Sequence, residues 1–209
     1  MGDTGQVVFV VDDDASIRAA ITSLLQSAGL RAQGFASAHE FLSGASFDSP
    51  ACLVLDLKMP GTSGLDLQRA LASTDTRLPI VFVTGYGDIP TTVRAMKAGA
   101  VEFLTKPFRD QDLLAAIQSA LVQAERAHQE RALQDTLRAR FEQLTPRQRQ
   151  VFMLVVQGRL NKQIAAELLI TEVTVKIHRG RVMQKMNATC IADLVRMASS
   201  LSIPMSLQA

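Results

Sequence analysis

Residues Ala51–Asp56, ACLVLD, join an unbroken apolar run to a single carboxylate. Such a run reads as a strand buried on both faces, and it delivers Asp56 to the rim of a sheet. Four further apolar runs share its character: Val7–Val11, Leu30–Phe35, Ile80–Val83 and Val101–Leu104. The intervals between them suit helical crossovers, so the pattern predicts one parallel sheet with helices on its faces, an α/β domain. In open parallel sheets the chemistry gathers beyond the carboxyl ends of the strands. The residues that leave this sheet there are Asp12 and Asp13, Asp56, Thr84 and Lys106. Each has an ordinary reading by itself, as a cap, a turn residue or a solvated lysine. Their placement at four strand ends of one sheet turns them into a constellation of three acids, a hydroxyl and an ammonium.

With K-P-F at Lys106–Phe108 and M-P-G-x-x-G at Met59–Gly64, that constellation resembles the receiver domain of two-component response regulators, over residues 5–122. The resemblance implies a five-stranded, doubly wound sheet in the order 2-1-3-4-5. It also implies that Asp56 accepts a phosphoryl group from a sensor histidine kinase. Asp12, Asp13, Asp56 and the backbone carbonyl of Lys58 are then the expected Mg2+ ligands, and Lys106 and Thr84 the groups that meet the phosphoryl oxygens. Charge supports this reading, because clustered carboxylates stay ionised together only when a cation is supplied. Mg2+ prefers oxygen ligands and keeps several waters, which suits two or three carboxylates and a phosphoryl oxygen. One departure stands out: Phe103 lies three residues before Lys106, where many receivers carry Tyr. A switch through Thr84 and residue 103 therefore has no phenol hydroxyl to use, and Phe103 is either a ring that rotates or a static core residue.

The chain has room for two domains at 209 residues. Its charge is polarised: residues 1–108 carry eight basic and eleven acidic groups, residues 142–209 nine basic and four acidic. An acidic module ahead of a basic one suggests cation chemistry in front and a polyanion behind. Cys52 and Cys190 offer neither a disulfide framework nor ligand spacing, so a reducing cytoplasm is the expected location. The start MGDTGQ and the lack of a long apolar run predict no signal peptide, membrane span or lipid anchor.

Helices fill the intervals. Ile17, Ile21, Leu24, Leu25 and Ala28 share one face of Ala15–Ala28, which stops at Gly29. Ser37 caps a short helix bearing Phe41 and Leu42, and two more helices are expected at Leu65–Ala72 and Thr91–Ala98. The loop Thr84–Pro90, with two glycines and a proline around Tyr86, can change shape. From Arg109 to Phe141 there is neither Gly nor Pro, which predicts one helix of about 33 residues, on the order of 50 Å long. Its stretch Glu125–Arg140 is thin in apolar residues and reads as a solvated rod in preference to a pairing helix.

Beyond it, Thr145, Pro146 and Gln148 form a helix start of cap, first-turn proline and reciprocating amide. Asn161 and Thr171 are placed to cap two further helices. L-T-P-R-Q-R-Q-V, N-K-Q-I-A-A-E-L and T-x-x-T-V-K-x-H-R resemble the LuxR/FixJ helix-turn-helix domain over residues 142–203. The resemblance places the third helix in the DNA major groove and makes Thr174, Lys176, Ile177, His178, Arg179 and Arg181 its candidate contacts. Gly180 interrupts that helix, at a cost of about 1 kcal/mol against Ala, so either close approach of DNA or a packing need is expected there.

The sequence thus predicts a receiver at 1–122, a helical linker at 123–141 and an all-α, four-helix DNA-binding domain at 142–209. The expected function is a transcription regulator that is phosphorylated by a histidine kinase and dimerises. Its expected partners are double-stranded promoter DNA and RNA polymerase, without a membrane. Two alternatives stand beside it. A Mg2+-dependent phosphohydrolase with an Asp nucleophile would want a second acid two residues after Asp56, where Lys58 stands. A phosphorylation-independent DNA-binding protein with a decayed receiver would not retain the whole pocket.

Overall fold

The computed structural model describes residues 5–73, 78–85, 87–201 and 203. The chain divides into two compact units, Met1–Gln129 and Glu130–Ala209. Tyr86, within the expected flexible loop, lies outside the described residues, as do most of the last residues of the predicted DNA-binding domain.

In the first unit, β1 (Val7–Val11), β2 (Arg31–Phe35), β3 (Ala51–Leu55), β4 (Ile80–Thr84) and β5 (Glu102–Thr105) form one parallel sheet in the order β2-β1-β3-β4-β5. Strand alternation splits its apolar residues into two cores. Phe9, Val11, Leu53, Leu55 and Phe82 face one side, where Phe41 of α2 (Ala38–Gly44), Leu67 and Leu71 of α3 (Gly64–Ala72) and Ala95 of α4 (Ile89–Lys97) cover them. Val8, Val10, Cys52, Val54, Val81 and Val83 face the other, under Ile21 and Leu25 of α1 (Ala15–Ser27) and Leu113, Ile117 and Leu121 of α5 (Asp110–Glu142). The three inner strands are covered on both faces, which is why they read as continuous apolar runs. Phe9, Phe35, Phe41 and Phe47 add tilted and edge-on ring contacts with centroids 5.4 to 6.0 Å apart. Burial pushes the Cys52 thiol up to about 12, so it is not a thiolate at neutral pH.

Several boundaries differ from the sequence reading by a residue or two, and two of them bear on the site. α4 begins at Ile89, two residues earlier than expected, because the Asp88 carboxylate accepts from the Thr91 N–H at 2.7 Å and Pro90 needs no donor in a first turn. β4 extends to Thr84, so the hydroxyl residue is the last of the strand.

The second unit packs α6 (Pro146–Val156), α7 (Asn161–Leu168), α8 (Glu172–Met186) and α9 (Ile191–Ser200) around Val151, Phe152, Val155, Ile164, Val175, Val182, Met186 and Leu194. The Thr145–Gln148 capping box forms, and Thr171 caps α8. Asn161 does not cap α7: Leu160 holds the cap position without a side-chain bond, and the Asn161 amide oxygen accepts from Arg179 of α8 instead. Most of α5 from Arg126 to Ala139 is exposed.

Candidate functional site

The strand ends of the sheet assemble a buried acidic pocket. Main-chain ladders run one residue past the strands: the Asp56 N–H donates to the Val11 carbonyl at 2.9 Å, the Asp12 N–H to Phe35 at 3.3 Å, and the Lys106 N–H to Thr84 at 2.8 Å. The side chains that follow are therefore carried on the rigid part of the fold. Asp12 is 2% and Asp56 9% exposed, Thr84 is fully buried, and Asp13 reaches solvent. Carboxylate oxygens of Asp12, Asp13 and Asp56 lie within 4.8 Å of one another.

The Lys106 ammonium enters between the acids, donating to Asp12 Oδ2 at 2.7 Å and lying 3.7 Å from Asp56 Oδ2. Asp12 Oδ1 accepts from the Asp14 N–H at 2.9 Å and Asp56 Oδ1 from the Leu57 N–H at 2.7 Å. Asp14 itself caps α1 through the Ser16 and Ile17 N–H groups, the structural role its position suggests. Burial raises the Asp56 carboxyl above its ordinary value; Lys106 opposes that, Asp12 adds to it, and the N–H groups of Leu57 and Lys58 oppose it further. Three carboxylates against one ammonium leave the pocket short of positive charge. Hard oxygen donors with one acid open to solvent fit a Mg2+ ion better than they fit a thiol- or imidazole-seeking metal.

The loop after β3 explains the M-P-G-x-x-G spacing. A Cβ on Gly64 would stand 2.4 Å from the Asp56 carbonyl oxygen, closer than any side chain tolerates, and Gly61 has φ +84°. The Gly64 N–H ties back to the Leu57 carbonyl at 2.9 Å, and Ser63 and Asp66 close a capping box at the start of α3. This tight return keeps the Leu57 and Lys58 N–H groups on Asp56. Phe103 is half-buried on β5, its ring 6.1 Å from that of Phe82 and directly beneath Gly87. Arg18, absent from the sequence-based site, also joins it: its Nη1 donates to the Asp12 main-chain carbonyl at 2.6 Å. A helical arginine six residues beyond an acid carries no signal of that contact in a single sequence.

On α8 the candidate DNA contacts separate. Lys176, Ile177 and Arg181 are exposed, as is Val173 one turn before Ile177. Thr174 is half-buried and its hydroxyl pairs with Thr171 at 2.9 Å. His178 and Arg179 turn toward the domain: the His178 Nδ1 is buried with no hydrogen-bond partner among the described residues, and Arg179 Nη1 donates to Asn161 at 2.5 Å. A Cβ on Gly180 would meet nothing within 4 Å, so no packing need within the described chain accounts for that glycine.

Among the described residues no helix is long and apolar enough to cross a membrane. Residues 8–118 match the family model of the response regulator receiver domain, and residues 142–198 that of the bacterial regulatory proteins of the luxR family. Nodulation protein W of Bradyrhizobium diazoefficiens is 52% identical over 96% of this chain and 88% of its own length. The transcriptional regulatory protein FixJ of the same species is 42% identical over 91% of this chain and 93% of its own. Among solved structures, the response regulator StyR superposes with a TM-score of 0.81 at 49% identity, covering 93% of this chain and 98% of that one. The chain belongs to the response regulators, a receiver domain followed by a LuxR-family DNA-binding domain, and is a two-component transcription regulator rather than an enzyme.

Proposed function

We propose that Asp56 is the phosphoacceptor of this regulator and that its modification drives two chains together on promoter DNA. The observation that carries this is the Lys106 ammonium held between two buried carboxylates, 2.7 Å from one and 3.7 Å from the other. An Asp56 oxygen attacks the phosphorus of the kinase phosphohistidine; the P–N bond breaks, and its electron pair stays on the imidazole. Asp12, Asp13, Asp56 and the Lys58 carbonyl hold Mg2+, which when bound supplies positive charge to the transferring group. Lys106 then leaves Asp12 for a phosphoryl oxygen, and the Thr84 hydroxyl donates to another.

The working division is receiver 1–122, linker 123–141 and DNA-binding domain 142–209. Movement of Thr84 at the end of β4 reshapes the loop that carries Gly87 over Phe103, and with it the start of α4. There Ile89, Val93 and Met96 form an exposed apolar stripe at i, i+4 and i+7, suited to a second copy. Two linked recognition helices meet a pair of half-sites at high effective concentration, so affinity rises by a factor of about 100 or more without a new DNA contact. Lys176, Ile177 and Arg181 are the outward contacts, Thr174 borders them, and His178 and Arg179 set the helix in place. The regulator works in the cytoplasm, with RNA polymerase as its downstream partner.

Sedimentation velocity, with and without beryllofluoride and Mg2+, tests this. The expected result is a shift from monomer to dimer that Thr84→Ala weakens. A protein that stays monomeric at tens of micromolar while its DNA affinity rises would replace dimerisation with release of an inhibited DNA-binding domain.

A further inference from the structure

Arg18 projects from the first turns of α1 back toward the acidic pocket and donates from Nη1 to the Asp12 carbonyl at 2.6 Å and, more weakly, to the Asp13 carbonyl at 3.4 Å. Strand pairing ends at Val11, opposite Phe35 and Leu55, and the Asp12 N–H makes one more ladder bond, to the Phe35 carbonyl; the Asp12 and Asp13 carbonyls lie past it, where the two carboxylates must point at one spot. The Arg18 stem reaches this place by crossing β2. A Cβ on Gly34 would lie 3.1 Å from Arg18 Cγ and 3.2 Å from Cδ, so the missing side chain at Gly34 is the bed of the arginine. Gly34 is exposed on an edge strand and its φ lies outside the left-handed range, so neither backbone conformation nor core packing asks for glycine there.

We propose that Arg18, seated on Gly34, is a positioning residue that fixes the Asp12–Asp13 peptide and so the geometry of the divalent-cation site. This rests on the reading of Asp12, Asp13 and Asp56 as that site. The claim concerns geometry rather than charge, and the two make opposite predictions: a guanidinium beside a cation site repels the cation, whereas a clamp on the ligand backbone favours binding. Groups that orient ligands are typically worth about 10- to 100-fold in metal affinity.

Titration of Mg2+ alone into the full chain, followed by amide chemical shifts, decides between them. Arg18→Met should weaken Mg2+ binding about 10-fold or more, and Arg18→Lys should restore part of the loss, because an ammonium can still reach one carbonyl. Gly34→Val, which leaves Arg18 in place but removes its bed, should weaken binding in the same direction. The double variant should be no weaker than Arg18→Met, since both changes break one clamp. Mg2+ binding by Arg18→Met equal to or tighter than wild type, or strictly additive losses in the double variant, would overturn the proposal. If Arg18→Met does not fold, Gly34→Val decides: unchanged affinity overturns the clamp. Asp13→Asn separates the two levels. When wild type binds Mg2+, Asp13→Asn binds it poorly and Arg18→Met binds it normally, only the clamp falls. When wild type takes up no Mg2+, or Asp13→Asn binds it as wild type does, the cation site falls and the clamp with it.

Discussion

Replacing Lys106 by Met keeps most of the side-chain stem and deletes the charge that Asp12 faces at 2.7 Å. Breaking a buried ion pair by removing one partner costs about 3 to 5 kcal/mol, because the other charge stays buried and unpaired. The Lys106 side chain is 17% exposed and that of Asp12 3%, so water relieves part of the loss and the expected cost is at the lower end, about 3 kcal/mol. For a domain of this size that is a fall in melting temperature of roughly 10 °C. Mg2+ should repair the defect. If losing the competing ammonium tightens Mg2+ binding tenfold, the variant gains about 1.4 kcal/mol more than wild type from the same saturating Mg2+, halving the gap. Scanning calorimetry of the full chain in EDTA and then in Mg2+ measures both numbers. A variant within about 1 kcal/mol of wild type in EDTA, or a deficit that Mg2+ leaves unchanged, would refute the picture of one lysine substituting for a cation.

Asp56→Asn tests the same pocket through pH. The folded-state value of Asp56 lies above its unfolded one, so the contribution of this group to wild-type stability falls as pH rises from the ordinary carboxylate value, near 4, through the raised one. In EDTA the variant should have the higher urea midpoint at neutral pH, and the difference should vanish in acid; the opposite slope rejects the assignment. Gly180→Ala should stabilise the DNA-binding domain by about 1 kcal/mol, since its Cβ meets nothing, yet weaken promoter binding if DNA approaches that face closely; a footprinting titration showing unchanged affinity removes Gly180 from the interface. Leu169 has φ +53° and is 91% exposed, so Leu169→Gly should add about 1 kcal/mol to stability in chemical denaturation, and a loss there would mean the side chain has packing the fold hides. Alanine at Lys176 or Arg181 should reduce the log–log salt slope of DNA binding by about 0.9 for each phosphate that is no longer neutralised, and salt-independent binding would rule that surface out.

The sheet and its pocket were legible because both follow from local pattern. Apolar runs mark strands covered on two faces, and the residues just past them have one place to go, the rim. The capping residues Ser37, Thr145 and Thr171 were equally readable, since each bonds a donor three residues away. Asn161 has the same local chemistry but is claimed by Arg179, eighteen residues on, and that competition is tertiary. The same pairing explains why exposure along α8 was hard to assign: Lys176 and Arg179 are alike in charge, and only the position of α7 turns one outward and the other in. Arg18 was hidden for a related reason, because its partner is a main-chain carbonyl and its seat is an absent side chain on another strand.

The central claim is that Asp56 is the group that reacts, and peptide mass spectrometry tests it most directly. The full chain, incubated with acetyl phosphate and Mg2+ and then trapped with borohydride, which expels the phosphate and reduces the acyl group to an alcohol, should carry one homoserine label, on the peptide containing Asp56. The label should disappear in Asp56→Asn and in EDTA. Label that persists in Asp56→Asn at the wild-type rate, or that appears on Asp12 or Asp13 in the unsubstituted chain, would contradict the account.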